Sequence, residues 1–470
     1  MNSRPHQKQA DVFGTLPPEF PQSLMSAIQR QIAEIGDKIV VLDDDPTGTQ
    51  TVHDVTVLTS WEPRTLVQAL EDPSPAVFVL TNTRSLTPEN AAALNRDLVN
   101  NLQNASRQVD RGFVLISRSD STLRGYFPLE TDTITETLRV DFDAVLIIPA
   151  FMAGGRYTIN SVHYVAEGDE LVPAAETDFA RDAAFGYQAS NLREWVAEKT
   201  GGKVVATDVI AIALGEIRQG SEHIAETLLS LDSHRYCVVD AVTERDLEIV
   251  ALAALKVEAQ GKRFLYRTAA SFAAIRAGIK LRPLLTSDEL RTRRSGGGLV
   301  VVGSYVQKTS SQLDYLLSHT TIHHAEVNVG QLLNDAAQSN EIERVVTQAR
   351  LFLEQEQTVV IYTSRQLITG NDAQSSLSIG NRVSASLVAI TMQLRDAVRF
   401  IVAKGGITSS DIATKALQVR RAKVIGQIIP GVPVWQLDER SAAPHLTYVV
   451  FPGNVGRIEA IADVVQKLGG

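Results

Sequence analysis

Short runs of β-branched and other apolar residues alternate with longer segments of helical periodicity along almost the whole chain. This alternation predicts parallel strands joined by crossover helices, and therefore an α/β fold. In the first half the apolar runs predict strands at Lys38–Leu42, Asp54–Thr59, Val77–Thr81, Phe113–Ser117, Ala144–Ile148, Val204–Val209, Tyr236–Val239 and Arg263–Tyr266. In the second half they predict strands at Leu299–Val302, Thr358–Tyr362, Phe400–Val402 and Tyr448–Phe451, with helices that begin near Ser310, Glu341, Ser384, Ser410 and Arg457.

A segment with neither periodicity separates the two halves. Between Lys280 and Gly298, a proline, a charged run and a glycine triplet interrupt the pattern. We therefore predict two domains, residues 37–290 and residues 296–470, each with a mainly parallel sheet flanked by helices. Residues 1–36 form a predicted N-terminal extension. It contains an amphipathic helix packed on the body, because apolar residues recur there at helical spacing, at Leu24, Ile28, Ile32 and Ile35.

Composition narrows the class of protein. The chain has 470 residues, of which 44% are hydrophobic and 21% charged, so it is neither disordered nor fibrous. Its net charge of −9 provides no general positive potential for nucleic acid or an anionic membrane, and we expect neither as a partner. A single cysteine, Cys237, excludes an intramolecular disulfide, and no apolar run is long enough for a membrane span or signal peptide. We expect a cytoplasmic protein whose anion sites are built locally.

Polar residues follow several predicted strands of the first half. In open parallel sheets, ligands bind beyond the carboxyl ends of the strands. Asp43, Asp44 and Asp45 come directly after the first of these strands. Adjacent carboxylates repel one another, so a fold keeps them together where a cation, a hydroxyl or a basic group offsets the repulsion. The alternative interpretation is an Asx turn with solvated charges.

Arginines follow three further strands of the same half. They are Arg84, Arg118 with Arg124, and Arg156. Because a guanidinium matches a carboxylate in a bidentate manner, arginines on one sheet edge would form a local site for a small anion. Alternatively, they pair with the aspartates as structural salt bridges. Hydroxyl and amide side chains nearby would suit a polyhydroxylated ligand, namely Thr47, Asn82, Ser119, Ser121 and Thr122.

The second half shows glycine and hydroxyl residues before predicted helices. The turns are Gly303-Ser304, Gly405-Gly406 with Thr408, and Gly453-Asn454 with Gly456. Close backbone approach and free amides at helix N-termini favour phosphate, so three such turns indicate a nucleotide site, although each alone fits an ordinary helix start. The chain has neither GxxxxGK[ST] nor GxGxxG, which disfavours P-loop NTPases and NAD enzymes. His323-His324 lacks HExxH spacing, which disfavours a zinc site.

Taken in order, the motifs of both halves resemble those of one enzyme family. Asp44-Asp45-Pro46-Thr47-Gly48 is similar to its DDxTG motif, Asp120-Ser121-Thr122-Leu123-Arg124-Gly125 matches DSTLRG, and Pro149-Ala150-Phe151 with Gly155-Arg156 matches PAF…GR. The three turns above and Pro430-Gly431-Val432-Pro433 are similar to the nucleotide-domain motifs. Over about residues 38–460 the chain thus resembles the four-carbon acid sugar kinases.

This resemblance implies an ATP-dependent kinase for the terminal hydroxyl of a tetronate or 3-oxo-tetronate, with Mg²⁺ and with an active site in the interdomain cleft. It implies that the first domain binds the sugar acid and the second the nucleotide. Three departures suggest a divergent branch. Ser117 and Arg118 stand where relatives often carry two lysines, Ile407 replaces the acidic residue of a GG[DE]T turn, and Phe451-Pro452 replaces Lys-Ser.

On this basis each candidate residue receives an expected role. Asp45, or failing it Asp44, is expected to orient the acceptor hydroxyl. The residues expected to bind the sugar acid are Arg84, Arg118, Asp120, Ser121, Arg124 and Arg156. Those expected to bind ATP are Gly303, Ser304, Gly405, Gly406, Thr408, Gly431, Gly453, Asn454 and Gly456. The sequence assigns no magnesium ligands.

Two other functions stay open at this point. One is a different sugar-acid enzyme, such as a dehydrogenase or an aldolase, although the absent GxGxxG disfavours the dehydrogenase. The other is a non-catalytic or effector-type binding protein that retains the kinase fold, which the altered turn at Ile407 leaves open. The stereochemistry of the sugar acid and the oligomeric state, a homodimer included, are also left open.

Overall fold

A computed structural model describes residues 7–45, 47–233, 235–366, 368 and 373–469, side chains excepted at 373–377. The first six residues of the predicted N-terminal extension and Pro46 of the DDxTG-like segment lie outside the described residues. No helix within these ranges is both long and apolar enough to cross a membrane.

The strands and helices follow one another in mixed order. The strands are β1 (Gln7–Lys8), β2 (Lys38–Asp43), β3 (Val55–Leu58), β4 (Ala76–Leu80), β5 (Phe113–Arg118), β6 (Ala144–Ile148), β7 (Arg156–Ile159), β8 (Val162–Glu167), β9 (Glu170–Pro173), β10 (Ile210–Ile212), β11 (Arg235–Val239), β12 (Phe264–Thr268), β13 (Gly297–Val302), β14 (His323–Val327), β15 (Val359–Thr363), β16 (Val398–Lys404), β17 (Arg421–Ile429), β18 (Val432–Leu437) and β19 (Thr447–Phe451). The helices are α1 (Gln9–Gly14), α2 (Met25–Ile35), α3 (Pro63–Glu71), α4 (Pro88–Val109), α5 (Leu129–Leu138), α6 (Leu192–Lys199), α7 (Leu214–Ile217), α8 (Ser221–Leu229), α9 (Glu244–Glu258), α10 (Ala270–Arg276), α11 (Gln307–His319), α12 (Val329–Leu332), α13 (Gln338–Leu353), α14 (Ala373–Leu394), α15 (Gly406–Asp411) and α16 (Ala460–Lys467).

The chain divides into two compact units. Unit 1 consists of Met1–Gly48 and Ser60–Leu281, and unit 2 of Thr49–Thr59 and Arg282–Gly470. The short segment Thr49–Thr59 belongs to unit 2, although the sequence predicts it within the first domain. The reason is that β3 pairs antiparallel with β17. Its apolar run predicts a strand but does not specify the partner.

Unit 1 contains a parallel sheet in the order β10-β11-β6-β12-β5-β2-β4. Its central strands are continuous apolar runs because helices cover both faces, and β2 is buried throughout. Since all these strands run in one direction, their carboxyl ends meet at one edge. Asp43 lies there beside Leu80 and Arg118, and Arg118 beside Thr268. A smaller antiparallel sheet has the order β1-β9-β8-β7.

Two details of unit 1 test the sequence predictions. The predicted amphipathic helix is confirmed as α2, which buries Met25, Ile28 and Ile32 and packs on α9. Glu248 of α9 accepts hydrogen bonds from the start of this helix, at the Ser23 hydroxyl and the Leu24 amide. The strand predicted at Val204–Val209 is wrong by several residues. A 3₁₀ turn occupies Ala206–Asp208, and β10 follows it.

Unit 2 contains a mixed sheet in the order β3-β17-β18-β19-β16-β13-β15-β14. The run from β19 to β14 is parallel, whereas β3, β17 and β18 pair antiparallel. The four predicted strands of this half are confirmed and form the centre of the parallel part. Three further strands, β14, β17 and β18, were not predicted from the sequence. His323 and His324 belong to β14, at the edge of the sheet.

Candidate active site

Three consecutive carboxylates lie at the carboxyl end of β2. Asp43 is the last residue of that strand, and Asp44 and Asp45 follow it. The chain then folds back so closely that a Cβ atom on Gly48 would lie 1.6 Å from Oδ2 of Asp43. Only glycine leaves room for this return, which explains the glycine of the DDxTG-like segment.

Asp43 is neutralised inside the protein by Arg118. Nη1 of Arg118 donates to Oδ1 of Asp43 at 3.0 Å, and both side chains are buried. Burial raises the pKa of Asp43 to about 7, and the charge of Arg118 opposes that rise. Arg118, expected from the sequence to bind the sugar acid, therefore already has a carboxylate partner in the fold.

Arg84 connects three aspartates of this edge. It lies in a 3₁₀ turn after β4. Its Nε is 3.2 Å from Oδ1 of Asp44, its Nη1 is 3.8 Å from Oδ2 of Asp120, and its Nη2 donates to Asp45. Burial disfavours the guanidinium charge, but these carboxylates outweigh burial and raise the pKa of Arg84. The side chain thus remains cationic and holds the acidic loops together.

Asp44 is almost fully buried and lies against the DSTLRG-like loop. Its Oδ2 accepts a hydrogen bond from the hydroxyl of Ser119. Burial raises the pKa of Asp44, while Arg84 and Arg267 act in the opposite direction. A Cβ atom on Gly125, where φ is +120°, would lie 2.6 Å from Oγ of Ser119 and 3.1 Å from Oδ2 of Asp44. Gly125 therefore allows the loop to approach this carboxylate.

Asp45 is the more accessible of the two predicted catalytic aspartates. Its side chain is 27% exposed, against 2% for Asp44. Its Oδ1 accepts from the amide of Thr47 at 2.7 Å, and its Oδ2 accepts from Arg84. Burial favours protonation, but Arg84, Arg118 and the Thr47 hydrogen bonds prevail and lower the pKa of Asp45. Asp45 is therefore an ionised carboxylate at neutral pH.

The DSTLRG-like loop holds Asp120 and Arg124 against each other. Nε of Arg124 donates to Oδ2 of Asp120 at 2.6 Å, and its Nη1 lies 3.5 Å from Oδ2 of Asp182. Despite burial, Arg84 and Arg124 lower the pKa of Asp120. Ser121 is fixed through its backbone, because its carbonyl oxygen lies 2.7 Å from Nε2 of the buried His163. Burial lowers the pKa of His163 to about 4, so the ring is neutral.

Arg124 and Arg156 share one aromatic ring. The guanidinium carbons of Arg124 and Arg156 lie 5.1 Å and 5.7 Å from the centre of the Phe179 ring. Nε of Arg156 is buried without a hydrogen-bond partner, and among the described residues no carboxylate lies within 4 Å of its guanidinium. Burial lowers the pKa of Arg156. The two cations around Phe179 are the part of the edge best suited to an incoming anion.

Two buried charged residues of this edge were not predicted from the sequence. Arg267, near the end of β12, donates to the carbonyl of Arg124 at 3.3 Å and interacts with the charge of Asp44. Glu130 of α5 accepts from the hydroxyl of Thr83 at 2.6 Å, and burial together with Asp44 raises its pKa to about 7. Arg267 directly follows a predicted strand and could have been found by the strand-end rule. Glu130 lies within a helix and carries no such signal.

The glycine turns of unit 2 meet around Ser304. A Cβ atom on Gly405 would lie 3.0 Å from Cβ of Ser304, and one on Gly453 would lie 3.1 Å from its Oγ. A Cβ atom on Gly303 would lie 2.3 Å from Oγ1 of Thr408. The structure thus brings together five of the predicted nucleotide-binding residues. Such close backbone approach creates a cradle that side chains would fill.

The other predicted nucleotide residues adjoin this cradle. Gly431, with φ of +77°, forms the turn between β17 and β18, where a Cβ atom would lie 3.1 Å from Cγ1 of Val455. Gly456, with φ of +92°, lies against Ala460 at the start of α16. Asn454 is exposed between Gly453 and Val455, and Gly406 begins α15 with open space around it.

Two cationic residues of unit 2 were not predicted from the sequence. Lys404, the last residue of β16, is fully buried and donates to the carbonyl of Pro452 at 2.7 Å. Burial, and to a lesser extent Lys308, lowers its pKa to about 7. Arg365 follows β15 and donates through Nη2 to the carbonyl of Ser304 and the hydroxyl of Ser310, both at 2.8 Å. Both cations lie at strand ends.

The acidic edge of unit 1 does not form a metal cage. Within the described part of the chain, no group of three His, Cys, Asp or Glu side chains is arranged to hold a metal ion. The reason in unit 1 is that arginines already occupy the aspartates.

Comparison with protein-family models identifies both halves of the chain. Residues 39–276 match the model described as "Sugar-binding N-terminal domain". Residues 299–461 match the model described as "Nucleotide-binding C-terminal domain". The two matches assign sugar binding to the half that contains the aspartates and arginines, and nucleotide binding to the half that contains the glycine turns.

Several curated proteins are similar to this chain over most of its length. A D-threonate kinase of Salmonella typhimurium is 27% identical, covering 92% of this chain and 98% of the relative. A D-erythronate kinase of Heliobacterium modesticaldum is 25% identical over 92% of this chain and 97% of its own. A 3-oxo-tetronate kinase of Pseudomonas fluorescens is 29% identical over 76% of this chain and 79% of its own.

A solved structure shares the fold. The crystal structure of a Haemophilus influenzae protein superposes with a TM-score of 0.65 at 18% identity, over 91% of this chain and 100% of that one.

Proposed function

The chain belongs to the four-carbon acid sugar kinase family, and we propose that it transfers the γ-phosphoryl group of ATP to the terminal hydroxyl of a four-carbon sugar acid. The acceptor is a tetronate or a 3-oxo-tetronate, the substrates named for its relatives. The observation that carries this proposal is the group of aspartates and arginines at one edge of the unit 1 sheet. It offers both a carboxylate for a hydroxyl and cations for a carboxylate.

Arg124 and Arg156 are proposed to bind the carboxylate of the sugar acid. Arg156 has no acidic partner within 4 Å among the described residues, and Arg124 is 27% exposed beside it on the ring of Phe179. Arg84 is proposed to position the aspartates rather than to contact the sugar acid, because its three donor nitrogens already face aspartates. It fixes the carboxylates that contact the hydroxyls of the acceptor.

Asp45 is proposed to orient the acceptor hydroxyl. It is ionised and accessible, whereas Asp44 is buried and accepts from Ser119. Phosphoryl transfer proceeds through a loose transition state, so the protein contributes chiefly by positioning and by neutralising charge. A carboxylate with a lowered pKa suits this role, because it accepts the hydroxyl hydrogen bond without depending on pH near neutrality.

The glycine cradle around Ser304 is proposed to hold the phosphates of ATP. Its turns offer backbone amides at close approach, and side chains at these positions would fill the space. Mg²⁺ is proposed to bind together with ATP, coordinated by its phosphates, because magnesium commonly keeps several waters and needs only one or two carboxylates from a protein.

A coupled assay of ADP release tests the proposed function. The purified chain is incubated with Mg-ATP and, in turn, D-threonate, D-erythronate and their 3-oxo relatives, with a reaction lacking acceptor as control. We expect at least one acid to raise ADP release about 100-fold or more over that control. Acceptor-independent rates across the set would contradict the proposal. ATP or sugar-acid binding without turnover would instead favour a non-catalytic binding protein.

A further inference from the structure

Arg365 stands at the carboxyl edge of the unit 2 sheet, within the group of loops that forms the glycine cradle. It comes two residues after the end of β15, and β15 lies next to β13 in the parallel part of the sheet. Gly303 and Ser304 follow β13 directly. Because β13 and β15 are parallel neighbours, Arg365 and Ser304 emerge at the same edge.

One nitrogen of Arg365 is engaged and the other two are not. Nη2 donates to the carbonyl of Ser304 and to the hydroxyl of Ser310, each at 2.8 Å. Nε and Nη1 are buried from solvent and make no hydrogen bond. In the described part of the chain no carboxylate lies within 4 Å of this guanidinium, although Asp314 acts on it from farther away. A guanidinium carries five N–H donors, so this side chain retains unused donor capacity beside the cradle.

The two hydrogen bonds donated by Nη2 also fix the orientation of the planar guanidinium group of Arg365. The Ser304 carbonyl and the Ser310 hydroxyl hold one corner of the guanidinium plane, so its orientation is set before any ligand binds. A planar fork with buried, unsatisfied donors is suited to a phosphate, which offers several acceptor oxygens and negative charge. Lys404, a second cation at this edge, is fully buried and donates a hydrogen bond to the Pro452 carbonyl.

We propose that Arg365 binds the phosphate chain of the nucleotide, through the guanidinium donors that the protein leaves unpaired. This assignment rests on the proposed function, because it takes ATP as the ligand of unit 2. The ligand class is a nucleoside di- or triphosphate, and the contact is to phosphate rather than to the base. Removing the guanidinium should therefore weaken the binding of ADP and ATP more than the binding of AMP.

Isothermal titration calorimetry with ATP, ADP and AMP tests this assignment on the full-length chain. Arg365→Gln is compared with the wild type and with Arg395→Gln. Arg395 is a matched control, because it also donates to one backbone carbonyl, that of Ala416, and also has a buried Nε without a partner. It lies in the 3₁₀ turn just before β16, at the opposite end of that strand from Gly405.

We expect Arg365→Gln to bind ADP and ATP about 10-fold or more weakly, and AMP less than about 3-fold more weakly. We expect Arg395→Gln to stay within about 2-fold of the wild type for all three nucleotides. Arg365→Lys, which keeps one charge but loses the fork, should fall between the wild type and Arg365→Gln, and it serves as the test if the glutamine variant does not fold.

Two results for the variants would overturn the assignment. Unchanged ADP affinity in Arg365→Gln would remove the phosphate contact. An equal loss for AMP, ADP and ATP would show that Arg365 only tethers the loop at Ser304. A wild-type chain that binds none of the nucleotides would overturn the proposed function itself, and this assignment with it, before any variant is compared.

Discussion

The three adjacent carboxylates of the segment Asp43–Asp45 acquire different properties because each meets a different partner. Arg118 pairs with Asp43, which is buried and has a pKa raised to about 7. Ser119 and Arg84 face Asp44, which is also buried. Asp45 is exposed enough to reach a ligand and is kept ionised by Arg84 and Thr47. Asp45 is thus the carboxylate most accessible to the proposed acceptor, while the other two contact side chains of neighbouring loops.

Gly125→Ala is expected to damage the proposed sugar-acid site specifically. The new Cβ atom would lie 2.6 Å from Oγ of Ser119 at a residue with φ of +120°. We expect a loss of about 1–3 kcal/mol in the free energy of unfolding. Because the DSTLRG-like loop must move away from Asp44, we also expect kcat/KM for the sugar acid to fall about 10-fold or more, with ADP affinity unchanged.

Gly168→Ala is the matched control for that substitution. Gly168 also has a positive φ, +65°, but a Cβ atom there would meet nothing within 4 Å. It should lose about 1 kcal/mol of stability and keep its activity. Equal kinetics for the two variants, measured by the ADP-release assay beside urea unfolding, would refute the steric role of Gly125.

At the residue scale, the sequence could indicate which side chains gather but not how they pair. The rule that ligands bind after parallel strands correctly brought Asp44, Asp45, Arg84, Asp120 and Arg124 to one edge. It could not show that Arg118 turns inward to Asp43, because pairing depends on side-chain direction at the strand end. Structural pairing applies to Arg84 and Arg118, whereas ligand binding stays a proposal for Arg124 and Arg156.

At the scale of secondary-structure elements, the central parallel strands could be predicted from continuous apolar runs. Strands with an alternating apolar and polar pattern were not predicted. β17 alternates buried and partly exposed residues over Arg421–Ile429, as expected for an antiparallel strand that covers one face. β14 has only two buried residues because it lies at the sheet edge. β3 was predicted as a strand, but its pairing with β17 depends on contacts across a long sequence separation, which local patterns do not record.

The register between β16 and β19 leads to a pH-dependent prediction. It places Lys404 beside Phe451, with the ammonium 3.8 Å from the centre of the Phe451 ring and bonded to the Pro452 carbonyl. Burial lowers the pKa of Lys404 to about 7 in the folded state, below its usual value of 10.5. Between these values the unfolded chain binds more protons, so this lysine makes stability rise with pH, by up to about 1.4 kcal/mol per pH unit.

Lys404→Met should remove that rise. Urea unfolding is measured at several pH values between about 6.5 and 9.5. As the pH increases, the free energy of unfolding of the wild type should rise relative to that of the variant. Lys467→Met is the control, since Lys467 also donates to a backbone carbonyl, that of Ile428, but is half-buried. If the free energies of unfolding of the wild type and of Lys404→Met change with pH in the same way, a folded-state pKa of about 7 for the buried Lys404 is contradicted.

At the scale of the whole molecule, the net charge of the chain has the same sign as the charge of its proposed ligands. The chain carries −9, yet the proposed sugar acid and nucleotide are both anions. In the proposed function, Arg124 and Arg156 around Phe179 supply local positive charge in unit 1, and the glycine turns and Arg365 supply it in unit 2. Composition could therefore indicate the class of protein but not its ligands, because those depend on a few side chains at two sheet edges.

The central claim, that the carboxylate edge of unit 1 orients the acceptor hydroxyl for phosphorylation, is tested most directly by Asp45→Asn. The substitution removes one charge and keeps the shape of a side chain that is 27% exposed. Asp54→Asn, at a side chain 56% exposed and paired with Lys423 in unit 2, is the control.

The measurement is ADP release with the sugar acid that the wild type uses, alongside calorimetric ATP affinity. Asp45→Asn is predicted to lower kcat about 100-fold or more while ATP affinity stays within about 2-fold, and Asp54→Asn is predicted to retain wild-type kinetics. Wild-type turnover in Asp45→Asn would contradict the account.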